Sequence, residues 1–433
     1  MRIPTRLSLL LVICASLLSS TAVAQFTQQG PELDGTGSVG FASQGAAVAL
    51  SADGNTAILG GPGDNVGVGA AWVWTRSGGV WTQQGTKLVG TGSVGMSRQG
   101  TSVALSADGN TALVGGKQDN GGAGAAWVWT RSGGVWTQQG PKLVGTGAVG
   151  NARQGISVSL SADGNTALVG GNSDNGGAGA AWVWTRSGGV WTQQGAKLLG
   201  SGAVGNAQQG QSVSISADGN TAIIGGYLDN GGTGAAWAWT RSGGVWTQQS
   251  SKLTGSGASG SANQGFAVSI SADGNTAIVG GPNDGAAWVW TRSGGIWTQQ
   301  GSKLVVQGNL QGFSVSLSAD GDTAVIAGVS TDFVTIGNCI CPAGAAWTWT
   351  RSGGIWTLGM KLAGALASQG GPASISADGS TIILGAPVDG FVDPGGAWVF
   401  VLNSIASAVP TLGGFAGAVL LLSIALLALF RLR

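Results

Sequence analysis

Five aspartates recur at equivalent places in successive stretches of the chain, and they are its clearest candidates for binding chemistry. A ring of carboxylates can coordinate cations or accept hydrogen bonds from hydroxyl-rich ligands, and two carboxyls at a defined separation can hydrolyse a glycosidic bond. The alternative is that each aspartate only shapes its loop as an Asx turn. The five candidates for ligand binding are Asp64, Asp119, Asp174, Asp229 and Asp284.

Two cysteines in one short segment are the second candidate. Cys339 and Cys341 are separated by one residue and lie just before Pro342. In an oxidising compartment the pair predicts a disulfide that ties a loop together. So small a ring is strained, and a redox or metal role is the alternative, although two thiolates without a histidine make an incomplete zinc site.

The remaining composition is poor in catalytic side chains. The chain has no histidine, one tyrosine (Tyr227), 9% charged residues and a formal net charge of +1. Its lysines and arginines are spread along the sequence without forming a cluster, which disfavours nucleic-acid binding. We therefore expect a protein that is not an enzyme and that has no cofactor and no metal site.

A repeat determines where these residues lie. The tetrapeptide Ser-Ala-Asp-Gly occurs seven times with a spacing near 55 residues, and repeats of this length are typical of solenoids and propellers. One unit predicts four strands, called a to d, over residues 102–106, 111–114, 126–130 and 135–143, with a tight hairpin at Asp108-Gly109 between a and b. The candidate aspartates and the two cysteines then fall in the loops between strands b and c.

An incomplete unit at each end of the array indicates a closed ring. The last unit has strands a, b and c but no strand d, whereas residues 26–33 repeat a strand d that has no unit of its own. If this N-terminal strand completes the last sheet, only short, protected edges remain. The sequence thus predicts an all-β fold over residues 25–404, a seven-bladed β-propeller of four-stranded blades closed by the N-terminal strand.

The tryptophans agree with a ring of blades. All 19 lie in the segments of strands c and d, and the alternation of a strand places pairs such as Trp127 and Trp129 on one sheet face. We expect them to fill the space between blades, where each can bury a large apolar area. The alternative is that they are exposed and stack on ligands.

Both ends of the chain carry targeting signals. Residues 1–24 have the basic, apolar and small-residue parts of a cleaved secretory signal. Residues 412–430 are apolar apart from Ser423 and are long enough for a transmembrane helix. Arg431 and Arg433 follow, which predicts a cytoplasmic C-terminus.

The repeat unit resembles a known family. Gln-Gly-x-Ser-Val-x-Leu-Ser-Ala-Asp-Gly-Asn-Thr followed by Gly-Ala-Ala-Trp-Val-Trp is similar to the FG-GAP repeat, the blade unit of integrin α-subunit propellers and of many bacterial surface proteins. The family's leading Phe-Gly is Gln-Gly here, as at Gln99-Gly100. Calcium-binding members carry Asp-x-Asp-x-Asp-Gly, whereas the hairpin at Asp108 has one carboxylate. Calcium is therefore not supported, and a hydrogen-bonded turn aspartate is predicted.

The C-terminal segment carries a second resemblance. Val409, Pro410, Thr411 and Leu412, followed by the apolar stretch and a basic end, are similar to the IPTL-CTERM sorting signal of Gram-negative bacteria. The resemblance implies that residues 405–433 hold an exported protein at the inner membrane until a peptidase processes it for the cell surface or matrix. The usual Ser-Glu-Trp is replaced by Gly-Gly-Phe, so a permanent membrane anchor is the alternative.

Taken together, these features predict a surface-displayed, non-catalytic interaction or adhesion module, monomeric, with an unidentified surface protein or glycan as its ligand. A glycan-binding, lectin-like propeller is the second hypothesis, and it needs aromatic side chains in the rim loops, where Tyr227, Phe333 and Phe391 are available. An extracellular hydrolase or lyase is the third, but fold alone licenses no activity.

Overall fold

Each repeat folds into an antiparallel sheet whose first turn is held by its own aspartate. Asp108 Oδ1 accepts hydrogen bonds from Ser106 Oγ (2.5 Å) and from the Asn110 amide (2.9 Å), and Oδ2 accepts one from the Asn110 side chain (2.9 Å). Ser106 Oγ in turn accepts the Thr111 amide (2.9 Å). The predicted role of this residue as a hydrogen-bonded turn aspartate is confirmed.

The structure, a computed structural model, describes residues 25–336, 339–363, 371–387 and 395–403. The chain divides into two compact units, one of residues 28–401 and one of residues 1–27 and 402–433. The first contains the propeller. In the second, within the residues described, Asn403 Nδ2 donates to Thr27 Oγ1 (2.6 Å).

The propeller is built from seven sheets with strand order a, b, c, d. The first three blades have strands Ala47–Leu50, Thr56–Gly61, Ala70–Ser77 and Val80–Gln83; Ser102–Leu105, Thr111–Gly116, Ala125–Ser132 and Val135–Gln138; and Ser157–Leu160, Thr166–Gly171, Ala180–Ser187 and Val190–Gln193. The next two have Ser212–Ile215, Thr221–Gly226, Ala235–Ser242 and Val245–Leu253; and Ala267–Ile270, Thr276–Gly281, Ala286–Ser293 and Ile296–Gln299, with Leu304–Val305 added. The last two have Leu310–Leu317, Thr323–Ile336, Cys339–Ser352 and Ile355–Leu362; and Ala373–Ile375, Thr381–Ala386 and Gly396–Asn403. The N-terminal strand is Gln25–Gln28.

Strand d is shorter than predicted in most blades. In the second blade it ends at Gln138, and Leu143 returns to strand c through a single bridge to Ala126. Gly140 has a φ of +73°, a backbone conformation that interrupts the strand. The prediction of one continuous strand over residues 135–143 is therefore wrong, although both ends of that segment contact strand c.

Neighbouring hairpins are joined in a closed ring. The Ala107 amide donates to the Ala162 carbonyl of the next blade (2.9 Å), and the same bond repeats from blade to blade. In order, the donor and acceptor pairs are Ala52 and Ala107, Ala107 and Ala162, Ala162 and Ala217, Ala217 and Ala272, Ala272 and Ala319, Ala319 and Ala377, and Ala377 and Ala52. Because the last bond returns to the first blade, the seven-bladed ring is closed as predicted.

The N-terminal segment takes the place of the missing strand d. The Gln29 amide donates to the Val399 carbonyl (2.8 Å), as the Gln84 amide does to the Val73 carbonyl in the first blade (2.7 Å). Leu33 pairs with Ala397 in the position where other blades have a leucine bridge. The two ends of the array are thus closed by the bonds that the sequence predicts.

The tryptophans lie between blades, as predicted. Trp127 and Trp129 of the second blade share one buried cluster with Ile58, Val73 and Leu88 of the first, and the same arrangement recurs between later blades. Burying aromatic rings of this size is a large favourable term in folding. The interface between neighbouring sheets is therefore the hydrophobic core of the propeller.

A buried glutamine explains why the repeat begins with Gln-Gly. Gln154 is 1% exposed, and its side-chain amide accepts the Gly145 amide (2.6 Å) and donates to the Gly145 carbonyl (3.0 Å). In the second blade the equivalent glutamine is Gln99, and the glycine that follows it is Gly100. Gly100 has a φ of +84°, and a Cβ there would lie 2.3 Å from the Ala70 carbonyl oxygen. Only glycine fits that approach.

The sixth blade departs from the others around the two cysteines. Strand c, Cys339–Ser352, pairs with a long strand b, Thr323–Ile336, and the register places Cys339 opposite Ile336 and Cys341 opposite Val334. The prediction of a loop here is wrong, because this segment is rich in β-branched and aromatic residues, which favour strands. The disulfide between the cysteines stays a prediction.

The predicted targeting segments, residues 1–24 and 405–433, lie outside the described residues. This includes the sorting motif at residues 409–412 and the span at residues 412–430. Within the described part of the chain, no helix combines the length and the hydropathy needed to cross a membrane.

We expect acid to destabilise the propeller through its hairpin aspartates. Partial burial alone would raise the pKa of Asp108, but hydrogen bonds from Ser106 and Asn110 outweigh it and hold the pKa below its usual value of 3.8. The pKa is lowered in the same way at Asp53, Asp163, Asp218, Asp273 and Asp378. Because the folded pKa is the lower one, this stabilisation is complete above about pH 4 and is lost as the pH falls through the folded pKa.

Thermal unfolding followed by circular dichroism tests this expectation. The Tm should stay nearly constant between about pH 7 and pH 5 and fall steeply below about pH 4. The variant Asp108→Asn should show a smaller fall, because one of the titrating groups is gone. A loss of Tm already complete between pH 7 and pH 5 would contradict the assignment to these carboxylates.

Candidate functional site

The structure places the predicted ligand-binding aspartates inside the loops between strands b and c. Asp119 opens a tight turn, Asp119–Gly122, in which Asn120 and Gly121 have positive φ angles, and it is only 1% exposed. Its Oδ2 accepts a hydrogen bond from Lys142 Nζ (2.6 Å) and its Oδ1 accepts one from the Val94 amide (2.8 Å). The carboxylate therefore holds three segments of the chain together.

This arrangement recurs around the ring. In the order aspartate, lysine and donor–acceptor distance, the ion pairs are Asp64 and Lys87 (2.6 Å), Asp119 and Lys142 (2.6 Å), Asp174 and Lys197 (2.5 Å), Asp229 and Lys252 (2.5 Å), and Asp284 and Lys303 (2.7 Å). Each pair belongs to its own blade, so the structure does not bring the aspartates together. In the described segments, no group of three or more His, Cys, Asp or Glu side chains could hold a metal ion.

The Asx-turn interpretation of these aspartates is wrong. An Asx turn needs a hydrogen bond to an amide two residues further on, whereas Asp119 accepts the amide of Val94, which lies 25 residues earlier. Ligand binding by the five aspartates stays a prediction. The structure gives each of them a lysine partner that the sequence analysis did not assign.

The sixth blade has the same ion pair, which the sequence analysis missed. Asp332 forms a salt bridge with Lys361, and both side chains are more exposed than in the other blades. The signal was present in the sequence, because a lysine recurs in every strand d from Lys87 to Lys361. In a chain with few charges, a lysine that recurs in each blade predicts an acidic partner that recurs with it, because a charge that is partly buried needs a counter-charge.

A cavity opens at the axis of the ring, where strands a begin. Its volume is about 440 Å³, and the first residues of strand a line it in all seven blades. The residue that follows Gln-Gly, or its equivalent, lies at this cavity in each blade: Ala46, Thr101, Ile156, Gln211, Phe266, Phe313 and Pro372. Pockets of about 300–1,000 Å³ are typical of small-molecule sites in proteins.

The first five copies of the repeat, although nearly identical, differ at this cavity. The residue after Gln-Gly is a different type in every copy, from Ala46 to Phe266. Other positions also change from copy to copy, and two of them adjoin this residue: the residue before Gln-Gly and the residue after strand b. We call these fifteen residues the variable rim: Ser43, Ala46 and Pro62; Arg98, Thr101 and Lys117; Arg153, Ile156 and Asn172; Gln208, Gln211 and Tyr227; and Asn263, Phe266 and Pro282.

Contacts between copies show that these positions form one continuous surface. Asn172 Nδ2 donates to Gln211 Oε1 (2.7 Å) and to Gln208 Oε1 (3.4 Å), both in the next blade. One blade further, the rings of Tyr227 and Phe266 meet edge to face with centroids 5.5 Å apart. All three variable positions therefore adjoin one another across a blade boundary.

The aromatic part of the rim continues into the sixth blade. Phe266 and Phe313 also meet edge to face, with centroids 5.9 Å apart. Tyr227, which the sequence analysis singled out, is thus one member of an aromatic cluster at the axis. Of the other two aromatic candidates, Phe391 and the side chain of Phe333 lie outside the described residues. Comparing the copies position by position would have revealed the rim from the sequence.

We expect the ion pairs to stabilise the fold. Replacing Lys142 by methionine leaves the Asp119 carboxylate buried without a counter-charge, which costs about 3–5 kcal/mol in the free energy of unfolding. Adding Asp119→Asn should recover most of this loss, because the neutral side chain still accepts the Val94 amide. Denaturant unfolding of the single and double variants measures both effects.

The sixth blade provides the matched control. Lys361→Met removes the same type of residue, but its partner Asp332 is 68% exposed, so water solvates the remaining charge and the effect should be small. Equal losses for Lys142→Met and Lys361→Met would contradict the role assigned to burial.

Comparisons with known proteins identify a fold and nothing finer. No protein-family model matches the chain, and no curated protein matches it. Among matching solved structures are a putative 6-phosphogluconolactonase from Bacteroides uniformis (12% identity, 74% of this chain and 85% of that chain, TM-score 0.52), a protein from Lactobacillus plantarum (16%, 82% and 87%, 0.50) and the β-propeller domain of Cps50 (Swd1) from Myceliophteria thermophila (12%, 86% and 100%, 0.52). At such identities the likeness shows a β-propeller alone.

Proposed function

We propose that the protein is a non-catalytic, surface-displayed binding module that recognises its partner with the variable rim. The observation that carries the proposal is the contrast between a constant framework and a rim that changes from copy to copy. Residues that only hold a blade in the ring have the same task in each copy and can stay the same. A rim that differs from blade to blade presents different chemistry at each point around the axis.

Exposure alone does not account for these differences. The valine at the start of strand d is 64–65% exposed in the first four blades, yet it is the same residue in all four: Val80, Val135, Val190 and Val245. The outer loop residue after strand d does vary, at Pro31, Thr86, Pro141, Ala196 and Ser251, but only among small side chains. The rim instead exchanges lysine, asparagine and tyrosine at one position, which changes what a ligand would meet.

The non-catalytic part of the proposal draws on how the repeated carboxylates are used. Asp108 and its equivalents hold hairpins, and Asp119 and its equivalents form ion pairs with lysines. A glycosidase needs one carboxyl free to donate a proton and another free to attack or to activate water. Carboxylates already engaged by neighbouring donors are poorly suited to either task.

Surface display is supported by the two ends of the sequence. A secretory signal at residues 1–24 and a sorting or anchoring segment at residues 405–433 would present the propeller outside the cell. Labelling intact cells with an antibody against the propeller tests this part by itself. Labelling that appears only after the cells are opened would contradict surface display.

A binding screen with the purified propeller, residues 25–404, tests the rim. It is applied to a glycan array and to cell surfaces, first with calcium and then with a chelator. The triple variant Tyr227→Asn, Gln211→Ile and Phe266→Gln gives each position the residue of the preceding copy, so the fold should be retained. We expect this variant to lose at least about tenfold in binding, as when the main contacts of an interface are removed.

The control replaces an exposed residue far from the axis. Val245→Thr should bind as the unchanged protein does, and all variants should keep the same Tm. If the triple variant binds as well as the control, the rim is not the recognition surface. If the unchanged protein binds nothing in either format, the proposal of a binding module is wrong.

A further inference from the structure

We propose that the variable rim binds an acidic saccharide, with Arg98, Lys117 and Arg153 holding its anionic group. The inference rests on the proposed function, because it uses the same rim and names the ligand class. Three kinds of side chain succeed one another along the variable rim: cations, amides and aromatic rings. Together they match the acid group, the hydroxyls and the apolar ring faces of such a sugar.

The three cations differ from the other described lysines and arginines in having no partner. Six lysines on strand d form ion pairs, and six arginines on strand c donate hydrogen bonds to neighbouring side chains. These residues are Lys87, Lys142, Lys197, Lys252, Lys303 and Lys361, and Arg76, Arg131, Arg186, Arg241, Arg292 and Arg351. Across the described ranges, the side chains of Arg98, Lys117 and Arg153 form neither an ion pair nor a hydrogen bond.

The cations also lie close together. One blade further on, the residues equivalent to Lys117 and Arg153 are Asn172 and Gln208. The side chains of Asn172 and Gln208 are in contact (3.4 Å), so Lys117 and Arg153 occupy neighbouring positions. Burial lowers the pKa of Lys117, and the positive charges of Arg98 and Arg153 lower it further. Like charges held together without a counter-ion repel each other, and a bound anion would remove that repulsion.

The amides that follow suit hydroxyl groups. Asn172 is 6% exposed and donates to the side-chain oxygens of Gln211 and Gln208, and these two bonds do not use the NH2 groups of the glutamines. An amide offers both a donor and an acceptor, as a sugar hydroxyl does. Gln211 lines the cavity between Ile156 and Phe266, so the amides connect the cationic and aromatic parts of the rim.

The aromatic part completes the site. An edge-to-face series of rings is formed by Tyr227, Phe266 and Phe313. The cavity that Phe266 and Phe313 line is also lined by Thr101, which lies close to Arg98 in the same blade. Aromatic side chains are large, rigid and apolar, which suits contact with the C–H faces of a sugar ring. A simple anion such as sulfate would use the cations but not these rings.

Calorimetric titration of the full-length chain, purified in a mild detergent, tests the inference. The probes are tetragalacturonate, its methyl ester and a sulfated carrageenan tetrasaccharide. We expect the acids to bind and the neutral ester to bind at least about tenfold more weakly, since it lacks the charge-assisted bonds. Affinity should fall with salt, because the attraction is screened. The two acids distinguish a carboxylate ligand from a sulfate ligand.

The repeat itself supplies the variants. Lys117→Asn and Arg153→Gln insert the residues that the following copy has at these positions, and each should weaken binding about tenfold. Gln208→Arg inserts the residue found in the second and third copies and should strengthen binding. The control Val135→Asp changes the net charge as much as Lys117→Asn does, but on an exposed outer hairpin, and should leave affinity unchanged.

The outcomes separate this inference from the proposed function. It is overturned if the ester binds as well as the acid, if no acidic probe binds, or if Val135→Asp weakens binding as much as Lys117→Asn. Should that happen while the triple rim variant still loses cell-surface binding, the proposed function stands and only the ligand class is wrong. If the triple variant loses nothing, both are wrong.

Discussion

Closure of the ring is the constraint on which the rest of this structure depends. Seven hairpins are linked by amide-to-carbonyl bonds that return to the first blade, from Ala377 to Ala52. A closed ring fixes the angle between neighbouring sheets, so each blade must fill the same wedge of space. This explains why the large tryptophans lie between the sheets, where they fill that wedge. Changing one wedge would strain all the others.

Polar side chains reinforce this geometry from blade to blade. Arg131 donates to Gln84 of the preceding blade (3.0 Å), and its guanidinium lies 5.3 Å from the ring centre of Trp136, which donates to the same glutamine oxygen (3.0 Å). Gln84 therefore stabilises an interface that apolar packing alone would leave free to slide. The charged residues of the framework are few and nearly all engaged within it. Among the described residues, the lysines and arginines without such a partner are those of the rim.

Much of the fold could be predicted from the sequence. Local residue patterns determine the turns and strands, and the number of strands in the first and last units determines how the ring closes. Asp108-Gly109 requires a hairpin, Trp127-Val128-Trp129 requires one apolar face, and the unmatched N-terminal strand requires a partner in the last blade. The ion pair of Asp119 and Lys142 could not be predicted in this way. It joins residues 23 positions apart, with strands c and d between them, and nothing local specifies that contact. The long strands around Cys339 were missed because a loop was assumed by analogy with the other units.

Because the copies are nearly identical, a consensus of the repeat omits the positions that differ, and the variable rim is made of such positions. A repeat is normally summarised by what its units share, and the shared residues here are the ones that build blades. What distinguishes Thr101 from Ile156, Gln211 or Phe266 is invisible in such a summary. A perfectly repeated ring would offer a ligand seven equivalent orientations. Residues at the cavity that differ from blade to blade remove that equivalence, so a symmetric framework can bind an asymmetric ligand in one orientation.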